Sequence, residues 1–209
     1  MKTHHPAIRF LAAGSLGFLI TGCLFRPANV ATRQFVLTPI PAVGQPAAQN
    51  QPAVGISPIK MPDYLLRSEM VLRKGANEIE YLENTLWAER LDRSFQHTLA
   101  ANLATQLPGS QLQLSAWRNG EVALVATVVV ERFDVDAQGK GTLVAHWRVE
   151  SVARPQAMKS GECNLTLSGP APFANPGAIA TTLSELTAQF SEVLAQAIRE
   201  CATLGAGAR

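Results

Sequence analysis

The sequence predicts an α/β fold, a two-layer sandwich with a mixed sheet of about five to seven strands and two main amphipathic helices. Three observations predict it. Short runs of alternating polar and apolar residues recur along the chain. Two long segments carry apolar residues at helical spacing. One of these follows the third or fourth strand and the other ends the chain, so each has one face to bury against the sheet.

The first element lies outside that sandwich. Residues 1–9 carry Lys2 and Arg9 and no acid, and an uncharged apolar run of eleven residues, FLAAGSLGFLI, follows. A membrane-spanning helix needs roughly 20 apolar residues, so this run fits the apolar part of an export signal instead. Ile20-Thr21-Gly22-Cys23 then places one branched residue and two small ones before a cysteine, an order that resembles the bacterial lipobox. A peptidase that takes an extended chain favours small residues before its cut. The freed Cys23 would carry diacylglycerol on sulfur and a third chain on its amine. Each buried methylene contributes about 0.8 kcal/mol, so three chains hold a protein on a bilayer. Residues 1–22 are thus expected to be a lipoprotein signal peptide and 23–33 a lipidated tether. At the sorting position stands Leu24 rather than aspartate, which favours the outer membrane with the body facing the periplasm.

The expected periplasmic domain covers 34–204, followed by a disordered tail at 205–209. RQFVLTPI (33–40) reads as a strand. PAVGQPAAQNQPA (41–53) has no period and reads as a flexible Pro/Ala/Gln-rich insert. Residues 54–62 form a second extended piece, its prolines placing it at an edge or at strand ends. Residues 62–84 read as a turn and a hairpin reversing at Lys74-Gly75-Ala76-Asn77. Trp87, Leu91, Phe95, Leu99, Leu103 and Leu107 recur every four residues and predict a helix over 85–107, ended by Pro108-Gly109. Strands are expected at 111–117, 121–133, 141–151 and 160–169. The second of these is apolar on both faces and should be central. DVDAQGKG (134–141) reads as a hairpin turn. Asn175 and Pro176 suit the N-cap and first position of a final helix over 176–203.

Composition narrows the chemistry. Lys2 and Arg9 lie in the leader, so the 18 basic and 16 acidic side chains of the whole become sixteen of each once it is removed. No basic stripe remains for nucleic acid. Beyond Cys23 only Cys163 and Cys201 remain. In an oxidising compartment they are a candidate disulfide that would add about 4 kcal/mol, or else two buried free thiols. His97 and His146 read as surface imidazoles, and no zinc-spaced cysteine pair or H-E-x-x-H occurs. Asp134-x-Asp136-x-Gln138-Gly139 starts like a calcium loop, but Ala145 stands where the bidentate glutamate is needed. Glu78, Glu80 and Glu83 read as solvent-facing acids of a strand. No G-x-S-x-G elbow or phosphate loop is present, so no enzyme, metal or cofactor is expected.

Several stretches together resemble one family. They are RQFVLTPI, VGISPIKMPDYLLRSEMVLR, NEIEYLENTLWAERLDRSFQHTLAANLATQL and VVVERFDVDAQGKGTLVAHWRV, with an amphipathic helix at the end. MPDYLLR, WAERL and ERFDVD…G…L.A.W are the specific parts. They are similar to the ABC-type transport auxiliary lipoproteins of the PqiC kind, which accompany MCE-protein lipid transport systems. That family usually has proline after W-A-E, where this chain has Arg90. The resemblance implies a non-catalytic adaptor on the outer membrane that docks onto an MCE-domain protein, and rings of identical copies. If MPDYLLR marks the partner surface, Pro62, Asp63, Tyr64, Leu65 and Arg67 are its candidates. Alternatively Tyr64 and Leu65 cap the core and Asp63 starts a turn. A second function stays open: a carrier that holds a lipid in its own cavity.

Overall fold

β6 (Leu124–Asp136) is the strand around which the sheet is built. The computed structural model describes residues 31–41, 51–173 and 175–206. Along one edge β6 pairs antiparallel with β7 (Lys140–Ser151), which pairs with β8 (Met158–Ser168). Its other edge is shared. β2 (Val54–Ile56) runs parallel beside its first residues, from Val54 opposite Leu124, and β3 (Glu69–Gly75) beside its last, Leu72 opposite Val135. β5 (Leu112–Leu114) extends the sheet beyond β2. Beyond β3 come β4 (Glu78–Trp87) and β1 (Arg33–Phe35). The described residues thus form one mixed sheet of eight strands, slightly more than the five to seven expected, and β1, β2 and β5 are each three residues long.

Helices α1 (Leu91–Gln106) and α2 (Gly177–Ala206) cover one face of the sheet. Phe95 of α1 stands between Phe133 of β6, edge-on at 5.2 Å, and Phe190 of α2 at 6.1 Å. All three rings are fully buried, so this contact joins both helices to the central strand. The uncovered face shows what alternation leaves there: Val129, Glu131, His146 and Arg148 are exposed. β6 is therefore central in pairing yet open on one side.

The expected helix over 85–107 begins six residues later than the apolar spacing indicates. Thr85, Leu86 and Trp87 instead pair with Arg33, Gln34 and Phe35, and Glu69 lies opposite Leu86. Strand partners on both sides hold these residues extended, while Trp87 still reaches the core that the stripe predicted. Arg90, standing where the family pattern has proline, is the N-cap, and its guanidinium grips Asp92 at 3.0 and 3.1 Å. Asp92 lies in the first turn, where a negative charge suits the helix dipole.

The first strand stops at Phe35 rather than residue 40, since β4 ends opposite it. Leu37, Thr38 and Ile40 then donate their N–H groups to Ser94 (3.4 Å), Ser184 (2.9 Å) and Asn102 (2.8 Å) of the two helices. The hairpin expected over 134–141 is tighter: β6 continues to Asp136, and its carboxylate accepts from the Gln138 and Lys140 amides at 2.9 Å. The acidic loop start is thus a polar turn. Asn175 does cap α2, its Oδ1 accepting from Gly177 N at 3.2 Å. α2 runs to Ala206, into the stretch expected to be a disordered tail. The expected signal peptide, most of the tether, the insert over 42–50 and the last residues, 207–209, lie outside the described residues.

Cys163 and Cys201 are separate buried thiols, not a disulfide. The register explains why. Cys163 lies opposite Ala145, whereas the Cys201 thiol donates to Ala157 O (3.2 Å) and Val149 O (3.7 Å). Val149 is four residues further down β7, about 13 Å at the strand rise. A disulfide needs its two Cα atoms within about 7 Å.

Two outcomes are expected. Phe95→Ala should lower unfolding free energy in urea by about 3–5 kcal/mol, since it empties the junction of three elements. Burial pushes both thiols above the ordinary thiol range, Glu150 adding to this at Cys201 against the opposing charge of Lys159. Native protein should therefore react slowly with an aromatic disulfide reagent, at a rate that keeps rising with pH beyond pH 9, while urea releases both thiols at once.

Candidate functional site

The MPDYLLR stretch leaves the sheet after Lys60, which bridges to Val129. Pro58 and Pro62 have no N–H to give, so strand pairing cannot continue through them. A single 3-10 turn, Asp63–Leu65, follows. It points its three side chains in different directions.

Leu65 goes into the core, where it meets Val71, Trp87, Leu91, Phe133 and Leu183. Tyr64 lies half-buried over the end of β6, its hydroxyl donating to Asp134 at 3.4 Å. Asp63 stays exposed. Beyond the turn Arg67 stacks its guanidinium on Tyr81, 4.3 Å from the ring centre, and pairs with Glu69 at 3.2 Å. Tyr81 in turn donates its hydroxyl to Tyr64 O at 3.3 Å.

Asp134 organises this corner, and the sequence placed it in a turn. Its carboxylate has no exposed surface. Arg73 of β3 reaches one oxygen with two nitrogens, at 2.6 and 2.8 Å, and Arg132 of β6 reaches the other at 2.9 Å. Arg73 also donates to Tyr64 Oη at 3.5 Å and to Ala76 O at 3.2 Å. Two guanidinium groups and a phenol thus satisfy one buried charge. Burial raises the Tyr64 phenol above its ordinary range, and the neighbouring Asp134 charge acts in the same direction against the opposing Arg73. Neither arginine was singled out by sequence. The available signal was an acid between Phe133 and Val135, two residues buried in one strand.

Of the five candidate partner residues, then, Leu65 is core and Tyr64 is largely structural, while Asp63 and Arg67 remain on the surface with half-buried Pro62. Cys23 and Leu24 lie outside the described residues. His97 and His146 are surface imidazoles paired with Glu89 (3.2 Å) and Glu131 (2.9 Å). The expected acids Glu78, Glu80 and Glu83 are exposed, and Glu80 pairs with Lys74 at 3.0 Å. Nothing in this arrangement pairs a nucleophile with a base. What the corner offers a partner is a fixed surface, held from below by a buried ion network. Asp134→Asn should destabilise the protein by about 3–5 kcal/mol in urea unfolding, because it strands Arg73 without its anion.

The comparisons with known proteins agree with this fold. Residues 35–195 match the model of the ABC-type transport auxiliary lipoprotein component family. Over 101 residues the chain is 30% identical to the intermembrane transport lipoprotein PqiC of Escherichia coli K12, covering 48% of this chain and 53% of that one. The Shigella flexneri protein of the same name matches equally. The chain thus spans about half the length of the curated relatives it matches. Two solved structures share the fold. One is an uncharacterized protein (TM-score 0.65, 20% identity, 80% of this chain and 98% of that chain). The other is from Xanthomonas campestris (TM-score 0.63, 11% identity, 83% and 99%). With the match covering most of its length, all of α1 and the first part of α2, the chain belongs to the family of ABC-type transport auxiliary lipoprotein components.

Proposed function

We propose that the protein is a non-catalytic adaptor of an MCE-type, ABC-linked lipid transport system, held on the outer membrane through an acylated Cys23 and facing the periplasm. The observation that carries this reading is the pairing of a lipobox-like leader with a domain of the auxiliary lipoprotein family. Leu24 supports the outer membrane over the inner. The MCE-domain partner is taken from the resemblance, as is the ring of identical copies.

The interior supports an adaptor over a carrier. Among the described residues, the void beneath Leu65, bounded by Trp87, Leu91 and Phe133, is about 10 Å³. That is about the volume of one water probe, whereas ligand pockets run to several hundred Å³. Larger hollows, about 410 Å³ at Val129 and His146, about 520 Å³ at Tyr81 and Asn84 and about 600 Å³ between residues 33–41 and α2, open on the surface. Among the described residues, the fully buried Phe95, Leu99, Leu186 and Phe190 of the two helices support a filled core over one that encloses a lipid.

The surface at Asp63 and Arg67 is the proposed docking point. Both groups are exposed, so changing them leaves the core intact. Asp63→Lys combined with Arg67→Glu should keep the thermal midpoint and lose capture of the MCE-domain protein of the same transport system. Undiminished capture by a folded double variant would move the docking surface elsewhere.

A further inference from the structure

Phe173 is 100% exposed, the most exposed large apolar side chain among the described residues. It sits in the connection between β8 and α2, at the end of the sandwich where the hairpin turn of β6 and β7 also lies. The described residues at either end of that connection are held in place. Gly169 N donates to Gly139 O at 2.9 Å, and Gly139, at φ +88°, lies so close that a Cβ there would collide with Gly169 O. Two residues after Phe173, Asn175 caps α2 and accepts a hydrogen bond from Arg33 at 3.4 Å. Arg33 is where the chain enters the sheet.

The exposed aromatic and the entry of the chain therefore share one end of the molecule. Cys23 and Arg33 are ten chain steps apart, a reach of at most about 35 Å. An anchor on such a tether sets distance but not orientation, because the thirty-residue α2 alone is about 45 Å long. A second contact is needed to orient the body. An exposed phenyl ring favours the membrane–water boundary, where aromatic side chains concentrate. Arg33 and Lys140, on the same end, suit anionic headgroups.

We infer that the bilayer itself is the partner of this end: Phe173 enters the headgroup layer and turns the opposite end of α2 toward the periplasm. This inference rests on the acylation of Cys23. It leaves Leu204, half exposed near the other end of α2, in water.

Acylated protein extracted from envelopes is reconstituted in phosphatidylethanolamine and phosphatidylglycerol vesicles that carry brominated lipid. Phe173→Trp and Leu204→Trp are compared with the unaltered protein for added fluorescence quenching. Quenching roughly threefold greater at position 173 is expected. Equal quenching at both positions, or none at either, overturns the contact, while flotation with the vesicles reports the anchor separately. Should the extracted protein fail to float, the acylation reading falls. Coupling Cys23 to a maleimide lipid then places the same two variants on the vesicle, and the same comparison decides the contact.

Discussion

A carboxylate with no exposed surface has to be neutralised where it stands, and the upper half of this fold is arranged around that need. Asp134 draws Arg73 from β3, Arg132 from its own strand and the Tyr64 hydroxyl from the turn before β3. These groups come from three places in the chain, so meeting the charge also sets the register between β3 and β6. It holds Tyr64 over the strand end, which leaves Leu65 to fill the core and Asp63 and Arg67 to face outward. A buried ion network adds little net stability over an apolar equivalent. Its use here is geometric. One arrangement of the turn satisfies the charge, and the surface above inherits that definition.

The lower half relies on pairing instead. β2 offers three residues to β6 on one side and to β5 on the other, and both pairings are parallel. So short a strand is held by its side chains as much as by its ladder. Val54 and Ile56 are fully buried, and Gln96 of α1 donates to Ile56 O and Ser57 O at 3.0 Å. A polar side chain buried in the helix thus takes up Ser57 O where Pro58 interrupts the sheet, and adds a second donor to Ile56 O, which also accepts from Ser115 N at 3.1 Å.

Much of this was legible because it is local. The apolar stripes of both helices, the alternation in β7 and β8, the Asn175 cap and the reversals near residues 76 and 138 all follow from period and turn chemistry. What was not legible depended on distant partners. Thr85–Trp87 carries a helical spacing, yet strand neighbours on each side hold it extended. Asp134 looks like a turn residue beside Asp136, and only two arginines from elsewhere make its burial tolerable. Two cysteines in a chain expected to be exported suggest a bridge, but register sets them about four strand residues apart. The MPDYLLR stretch was half-legible for the same reason. Its apolar residues serve the core, and sequence cannot divide a motif into the side chains that hold it and those that show.

A body with a filled core works through its surfaces, and here the surfaces are distributed along the direction of α2. One end gathers the entry of the chain, Phe173 and the two tight turns. The other gathers the exposed apolar residues Val152, Met158 and Leu204, where β7 ends, β8 begins and α2 runs out. Since β6, β7, β8 and α2 run between these ends without a break, the body transmits position stiffly from one to the other. On the proposed reading, that stiffness is what an adaptor requires. An acyl tether supplies attachment, and the rigid sandwich fixes the corner at Asp63 and Arg67 relative to the end where the chain enters at Arg33.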